Sequence, residues 1–298
     1  MYRCMAAGSV RPRTHAGRSI AGMEAGIGPC VRWRADEGGA SAHAGFAYNG
    51  WEGSVAHPTP PVPTTNRLLD RLGMKERARV LSRCEPAVLA YPQVVGEAGA
   101  AIAHVYFPTG SSISLMTPIE GKNRIEVGLA GSEGMYGVPV AMGVRVSPVR
   151  AIVQGGGLAW RMGSTAFVRE LARAPPLRHC VDRYIYVLMN QLIRNAGCNR
   201  FHRVEQRVAR RLLMAADRAR SSSFHITHEL LASVLGVRRV GITEAASALQ
   251  VRGLIGYTRG AMTIHDRKGL ERASCPCYRA DLSIYERLFR EVGCRADP

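Results

Sequence analysis

The sequence predicts an α+β chain in which a β-rich unit comes first and helices follow. Three observations carry this. Between residues 88 and 163, short β-type runs are punctuated by glycine. From Ser164 onward, apolar residues recur at helical spacing. Near the end, a helical pattern breaks at Gly236, restarts at Arg238-Arg239 and is followed by a hairpin pattern.

The chain has 298 residues, 46% of them hydrophobic, which leaves room for one large domain or two ordinary ones. Its formal charge of +17 points to a polyanionic partner. The positive charge is almost all arginine, since Lys75, Lys122 and Lys268 are the only lysines. From Arg200 to Arg272 there are 14 Lys plus Arg against 6 Asp plus Glu, so the excess concentrates there. The eight cysteines are scattered apart from Cys275-Pro-Cys277, unlike a secreted disulfide framework. No apolar run reaches the length of a membrane span, and the N-terminus lacks the apolar core of a secretion signal. The expectation is a reduced, cytoplasmic protein without a membrane partner.

Residues 1–64 are rich in Gly, Ala, Arg, His and Pro and hold no period, so they read as a disordered leader or as the product of a start placed too far upstream. "NRLLDRLGMKERARVLSRCEPAVL" suggests two short helices broken at Gly73. The runs "AIAHVYFP", "SSISLMTPI", "NRIEVGLA", "VRAIVQ" and "LAWRM" then read as strands of a sandwich, jelly roll or small barrel. "STAFVRELARAP" is a helix with Ser164 as its expected N-cap, stopped by Pro175-Pro176. "LRHCVDRYIYVLMNQLIRNAG" places Val181, Ile185, Leu188, Leu192 and Ile193 on one stripe, a candidate for pairing with a second copy, and ends at Gly197. "RVEQRVARRLLMAADRA" places Val204, Val208, Leu212 and Leu213 inward and its arginines outward.

In "THELLASVLGVRRVGITEAASALQ", Thr227 suits an N-cap and Glu229 the first turn. Gly236 suits the left-handed residue that ends a helix. A second helix follows, with Ile242, Ala245, Ala246 and Leu249 facing in. Two short helices joined by a tight turn form a helix-turn-helix, whose second helix meets base edges with its N-terminal residues. Arg238 and Arg239 stand there, and one bidentate arginine–guanine contact discriminates by roughly 1–3 kcal/mol. Tyr257-Thr258 and Met262-Thr263-Ile264 predict a hairpin with Arg259 at its tip, a wing that would touch phosphates. The candidate DNA contacts are Thr227, His228, Arg238, Arg239, Val240, Thr243, Glu244 and Arg259.

Taken in order over residues 66 to 290, "HVYFPTGSSISLM", "EVGLAGSEGMYGVPVAMG", "SPVRAIVQ", "CNRFHRVEQRVARRLLMAADR" and the helix-turn-helix segment resemble the Crp/Fnr family of bacterial transcription regulators. The resemblance implies a jelly-roll-like, cyclic-nucleotide-binding-like β-roll sensor over 65–173 and a dimerisation helix over 174–199. It further implies a winged helix-turn-helix over 200–275 and a C-terminal tail over 276–298. It also implies a homodimer on double-stranded, palindromic DNA, with RNA polymerase and a small-molecule effector as further partners.

Departures from the family pattern bear on mechanism. Cyclic-nucleotide binders hold the ribose with a glutamate, for which Glu133 can stand, and the phosphate with an Arg-Ser or Arg-Thr pair before an Ala-x-Val strand. Here Val149-Arg150 precede Ala151-Ile152-Val153, and a one-residue slip turns a side chain to the other face of a strand. The effector-pocket candidates are Glu133, Gly134, Met135, Gly137 and Arg150, with cyclic nucleotide a doubtful ligand and no cofactor required. Cys4, Cys30 and Cys84 lack the spacing of the family's iron–sulfur branch, and Cys275 and Cys277 alone give too few metal ligands, so no metal is expected. The best-known cyclic-AMP-responsive members use an Arg-Glu pair and a later Arg. Arg239 matches the first, whereas Val240 and Glu244 replace the others, which implies a different operator. A cupin-like enzyme would need a metal-binding His cluster, yet the roll segment offers only His104. A scaffold whose winged helix binds protein is the remaining alternative.

Overall fold

In the computed structural model, residues 66–119, 124–258 and 260–290 are described. The expected leader, Cys4, Cys30 and the wing-tip Arg259 lie outside them. After a single 3-10 turn (Leu69–Arg71), helix α1 (Met74–Leu81) leads into the β unit. Strands β1 (Glu85–Leu89), β2 (Val94–Gly96), β3 (His104–Pro108), β4 (Ser112–Pro118), β5 (Arg124–Ala130), β6 (Arg150–Gly155) and β7 (Gly157–Gly163) make two antiparallel sheets. One has the order β1-β7-β3, the other β2-β6-β4-β5. Sequence patterning finds β3 to β7 and misses β1 and β2. The β6–β7 corner requires glycine, because Gly157 has φ +154° and a Cβ there would strike the Gly110 carbonyl.

Inward side chains of both sheets form one core around Val105, Phe107, Ile113, Val153 and Met162. The short helix α2 (Val138–Ala141) and helix α3 (Ser164–Arg173) pack on it. Gly163, not Ser164, is the N-cap of α3; the Ser164 hydroxyl instead donates to the Ile102 carbonyl. Helix α4 (Pro175–Phe201) opens with the two prolines in its first turn, where their missing N–H groups cost nothing, and it runs through Gly197. Its 27 residues span about 40 Å.

The expected stripe on α4 divides. Val181 is wholly buried in the roll core, Ile185 and Leu188 lean against it, and Leu192 is exposed. The open apolar face is formed by Tyr186, Met189, Leu192 and Ile193, with Ile193 71% exposed. Cys180, beside Val181, is buried in the same core.

The second core belongs to the winged helix. Helices α5 (Val204–Ala219), α6 (His228–Leu235), α7 (Arg239–Val251) and α8 (Arg267–Ala273) surround Leu212, Leu231, Ile242, Leu249 and Leu270. Strands β8 (Ser223–His225), β9 (Ile255–Thr258) and β10 (Ala261–Ile264) form its sheet in the order β8-β10-β9, so the predicted hairpin gains a third strand.

Two expectations are corrected. The arginines of α5 do not face outward: Arg207, Arg210, Arg211 and Arg218 are all buried. Arg211 pairs with Glu126 of β5 at 2.8 Å, Arg218 with Glu133 at 3.0 Å, and Arg210 with Asp281 at 2.6 Å. The supposed tail is helix α9 (Cys277–Arg290), which packs on α4 and sends Tyr285 and Phe289 into the roll core. Helical spacing identifies which α5 residues share a face, but the carboxylates that cover that face come from a distant part of the chain.

Phe289 is fully buried against the roll. Phe289→Ala should therefore cost about 3–5 kcal/mol in chemical denaturation of the full chain. An unchanged midpoint would mean that α9 does not dock.

Candidate nucleic-acid interface

The helix-turn-helix is built by local chemistry. Thr227 caps α6, its hydroxyl accepting from the Leu230 N–H at 3.1 Å. Gly236 ends α6 in the left-handed region, φ +62°, where a non-glycine residue would be strained. A Cβ at Gly236 would also press within 3.2 Å of Ile125 on β5, because α6 lies against that strand. Arg238 then becomes the N-cap of α7 and Arg239 its first residue.

The faces of α7 separate cleanly. Ile242, Ala245, Ala246 and Leu249 are buried, while Arg239, Val240, Thr243 and Glu244 are exposed, as is Arg238 just ahead of them. Neither Arg238 nor Arg239 is held in an ion pair with a described residue. By contrast, Arg252 pairs with Glu205 at 2.7 Å and Arg267 with Asp217 at 2.5 Å. The structure thus gathers Arg238, Arg239, Val240, Thr243 and Glu244, of the expected DNA contacts, at the turn and the leading end of α7. Thr227 is committed to its cap, and His228 plays a different part.

The His228 ring stacks on Tyr257 of the wing, with centroids 4.3 Å apart. Its Nδ1 lies 3.1 Å from the Thr243 hydroxyl, which itself donates to the Arg239 carbonyl. The hydroxyl proton is therefore used, so His228 must donate from Nδ1. Its Nε2 is buried without a hydrogen-bond partner among the described residues. Burial, and then the nearby Arg239 charge, hold the imidazole below its ordinary pKa. His228 is a neutral strut joining α6, α7 and β9. Nothing in single-sequence patterning reveals that role, which depends on where Tyr257 stacks.

The effector candidates do not converge. Glu133 is spent on Arg218 and on the Gly131 N–H, Arg150 pairs with Glu97 at 3.3 Å, and Gly134 packs against the Tyr184 ring. Met135 and Gly137 line a cavity of about 150 Å³ between the roll and α4, together with Leu115, Tyr136, Val149 and Leu188. Its walls are apolar and carry no cation for a phosphate. The cysteines give a second surprise: Cys275 and Cys277, expected to stand apart from other ligands, meet Cys198 and His202 in one cluster.

The fold and this turn define a winged helix-turn-helix. A sequence profile described as the Crp-like helix-turn-helix domain matches residues 206–273. The roll, long helix and winged helix follow the same architecture as solved structures of Crp/Fnr-family regulators. The chain is similar in fold to FixK2 from Bradyrhizobium japonicum, at 11% identity and TM-score 0.55, with 64% of this chain and 98% of that one covered. The c-di-GMP-responsive global regulator CLP from Xanthomonas campestris is similar at 15% identity and TM-score 0.53, covering 64% and 99%. A CRP-family transcriptional regulator from Thermus thermophilus follows at 16% identity and TM-score 0.53, covering 63% and 96%. No curated protein matches the sequence. Among the described residues, no helix is long and apolar enough to cross a membrane.

The His228 strut has a pH signature. Because its folded-state pKa lies below the ordinary value of 6.5, its contribution is complete above that pH and is lost as pH falls through the folded-state value. The thermal stability of the wild type should fall on acidification below about pH 6.5, and a His228→Asn variant should lack that component. Identical pH profiles for the two proteins would contradict the assignment.

Proposed function

We propose that the chain acts as a homodimer on a palindromic DNA operator, with the leading end of α7 in the major groove. The observation that supports this most is the exposed set Arg238, Arg239, Val240, Thr243 and Glu244 on one face of a helix whose other face is buried. Arg239 reads a base, and Arg238 and the wing hold phosphates. Val240 and Glu244 set a target different from that of the Arg-Glu-type readers. The open apolar face of α4 supports the pairing: Tyr186, Met189 and Ile193 recur at helical spacing, and each stays exposed on its own chain. Two α4 helices pairing there would bring two readers to successive turns of one face of the duplex.

The roll is the proposed regulatory unit. Its cavity favours an uncharged, apolar effector over a cyclic nucleotide, because no cation lines it. Transcription control would then pass through contacts with RNA polymerase in the cytoplasm.

Arg239→Ala should abolish specific operator binding in a gel-shift titration while leaving the dimer intact in sedimentation. Unchanged operator affinity would refute the reader assignment. Ile193→Glu, which buries a charge in the α4 pair, should yield a folded monomer at micromolar concentration. A variant that sediments as a dimer would place the interface elsewhere.

A further inference from the structure

Four soft or borderline ligands converge where the long helix ends. Cys198 lies on the last turn of α4 and His202 caps it, four residues on and on the same side. Cys275 lies between α8 and α9, and Cys277, just beyond Pro276, opens α9. One donor atom from each residue can be chosen so that all four lie within 4.8 Å of one another. The Cys198 and Cys275 sulfurs are 3.6 Å apart, and Cys277 Sγ is 3.7 Å from His202 Nδ1. A tetrahedral zinc ion with bonds of about 2.3 Å to sulfur and 2.0–2.1 Å to nitrogen sets ligand–ligand edges of about 3.4–3.8 Å. The Cys198–Cys275 and Cys277–His202 separations are of that size, and the remaining ones stay within 4.8 Å. A multi-iron cluster would spread its ligands over different irons and hold some of them further apart than this.

We propose that Cys198, His202, Cys275 and Cys277 form a structural site for one tetrahedral divalent cation, zinc by its ligand chemistry. Three thiolates and an imidazole leave no open position, so the site is closed and not catalytic. Binding displaces three thiol protons and leaves a centre with one net negative charge. The surroundings suit that charge: Arg207 and Arg210 stand beside the cysteines, and the three thiols form a small buried cluster of their own. Arg207 is fixed by Asn199, next to Cys198, at 3.0 Å, and Arg210 by Asp281 on α9. These partners orient the surroundings of the ligands as outer-shell groups do at metal sites. The ion would rivet the end of α4 to the α8–α9 corner, and so fix the angle at which the winged helix leaves the helix proposed to pair the two copies.

The test uses the full chain purified under reducing conditions without chelator. Elemental analysis should give one zinc per chain. Loading the apoprotein with cobalt should give the intense visible bands of a tetrahedral site and a near-ultraviolet thiolate-to-metal band. Absence of stoichiometric metal together with no cobalt spectrum would overturn the proposal, as would an iron–sulfur chromophore or a Cys198–Cys275 disulfide in the reduced protein. The double variant Cys275→Ser/Cys277→Ser should lose the metal, while Cys84→Ser keeps it. A double variant that retains stoichiometric zinc would also refute it. Because the double variant loses core thiols, a second measurement uses the wild type: titration with an organomercurial should release the zinc as the site thiols are modified, and a strong chelator should lower the melting temperature until zinc is restored. Zinc that stays bound after all thiols react would place it elsewhere.

Discussion

The arginines on the inner face of α5 govern how the two halves of the chain meet. Arg211 reaches Glu126 on β5, and Arg218 reaches Glu133 just beyond that strand and the Leu129 carbonyl near its end. Both guanidiniums and both carboxylates are almost wholly removed from water. Such pairs add little net stability compared with apolar packing, but losing one partner strands a buried charge at about 3–5 kcal/mol. They act as a register. The winged helix can sit on the roll only where each arginine meets its carboxylate, and that placement lays α6 along β5 with α7 facing away.

The same constraint sorts the positive charge. A strongly basic segment first reads as one continuous surface for a polyanion. In the structure, the α5 arginines are internal ties, and Arg252 and Arg267 are engaged at the surface. Arg238 and Arg239 remain exposed at the mouth of the turn. The charge that can meet DNA is thus more concentrated than composition implies. The tie also accounts for Glu133. A glutamate that resembles a ribose ligand by position serves here as the anchor of Arg218, so a ligand in the roll meets an apolar cavity bounded by α4. A change in that cavity would reach α4 through Leu188 and Leu192, and the reader through the β5–α6 contact.

What can be read from the sequence is local. Thr227, Gly236 and the arginines after the break lie close together in the chain, and each acts through its own backbone or helix face, so the helix-turn-helix is legible. Strands β3 to β7 are legible because glycine turns bound them. The three-residue strands β2 and β8, and β1 with Pro86 near its start, carry too little pattern. The long-range features are not legible. The carboxylates for Arg211 and Arg218 lie about 85 residues away, Cys198 and Cys275 are 77 apart, and α9 returns to a core formed nearly two hundred residues earlier. On α4, spacing alone does not tell which apolar face belongs to the roll and which is open. It therefore places Val181 on the pairing face, although that side chain belongs to the roll core.

If α4 pairs two copies, their α7 helices read an inverted repeat. Selection of bound duplexes from a random DNA pool by the full-length protein tests it most directly. Paired readers should enrich an inverted repeat whose half-sites are centred about one helical turn apart, roughly 10–10.5 base pairs, or a multiple of it. A single non-repeated motif, or no enrichment above the input pool, would contradict it.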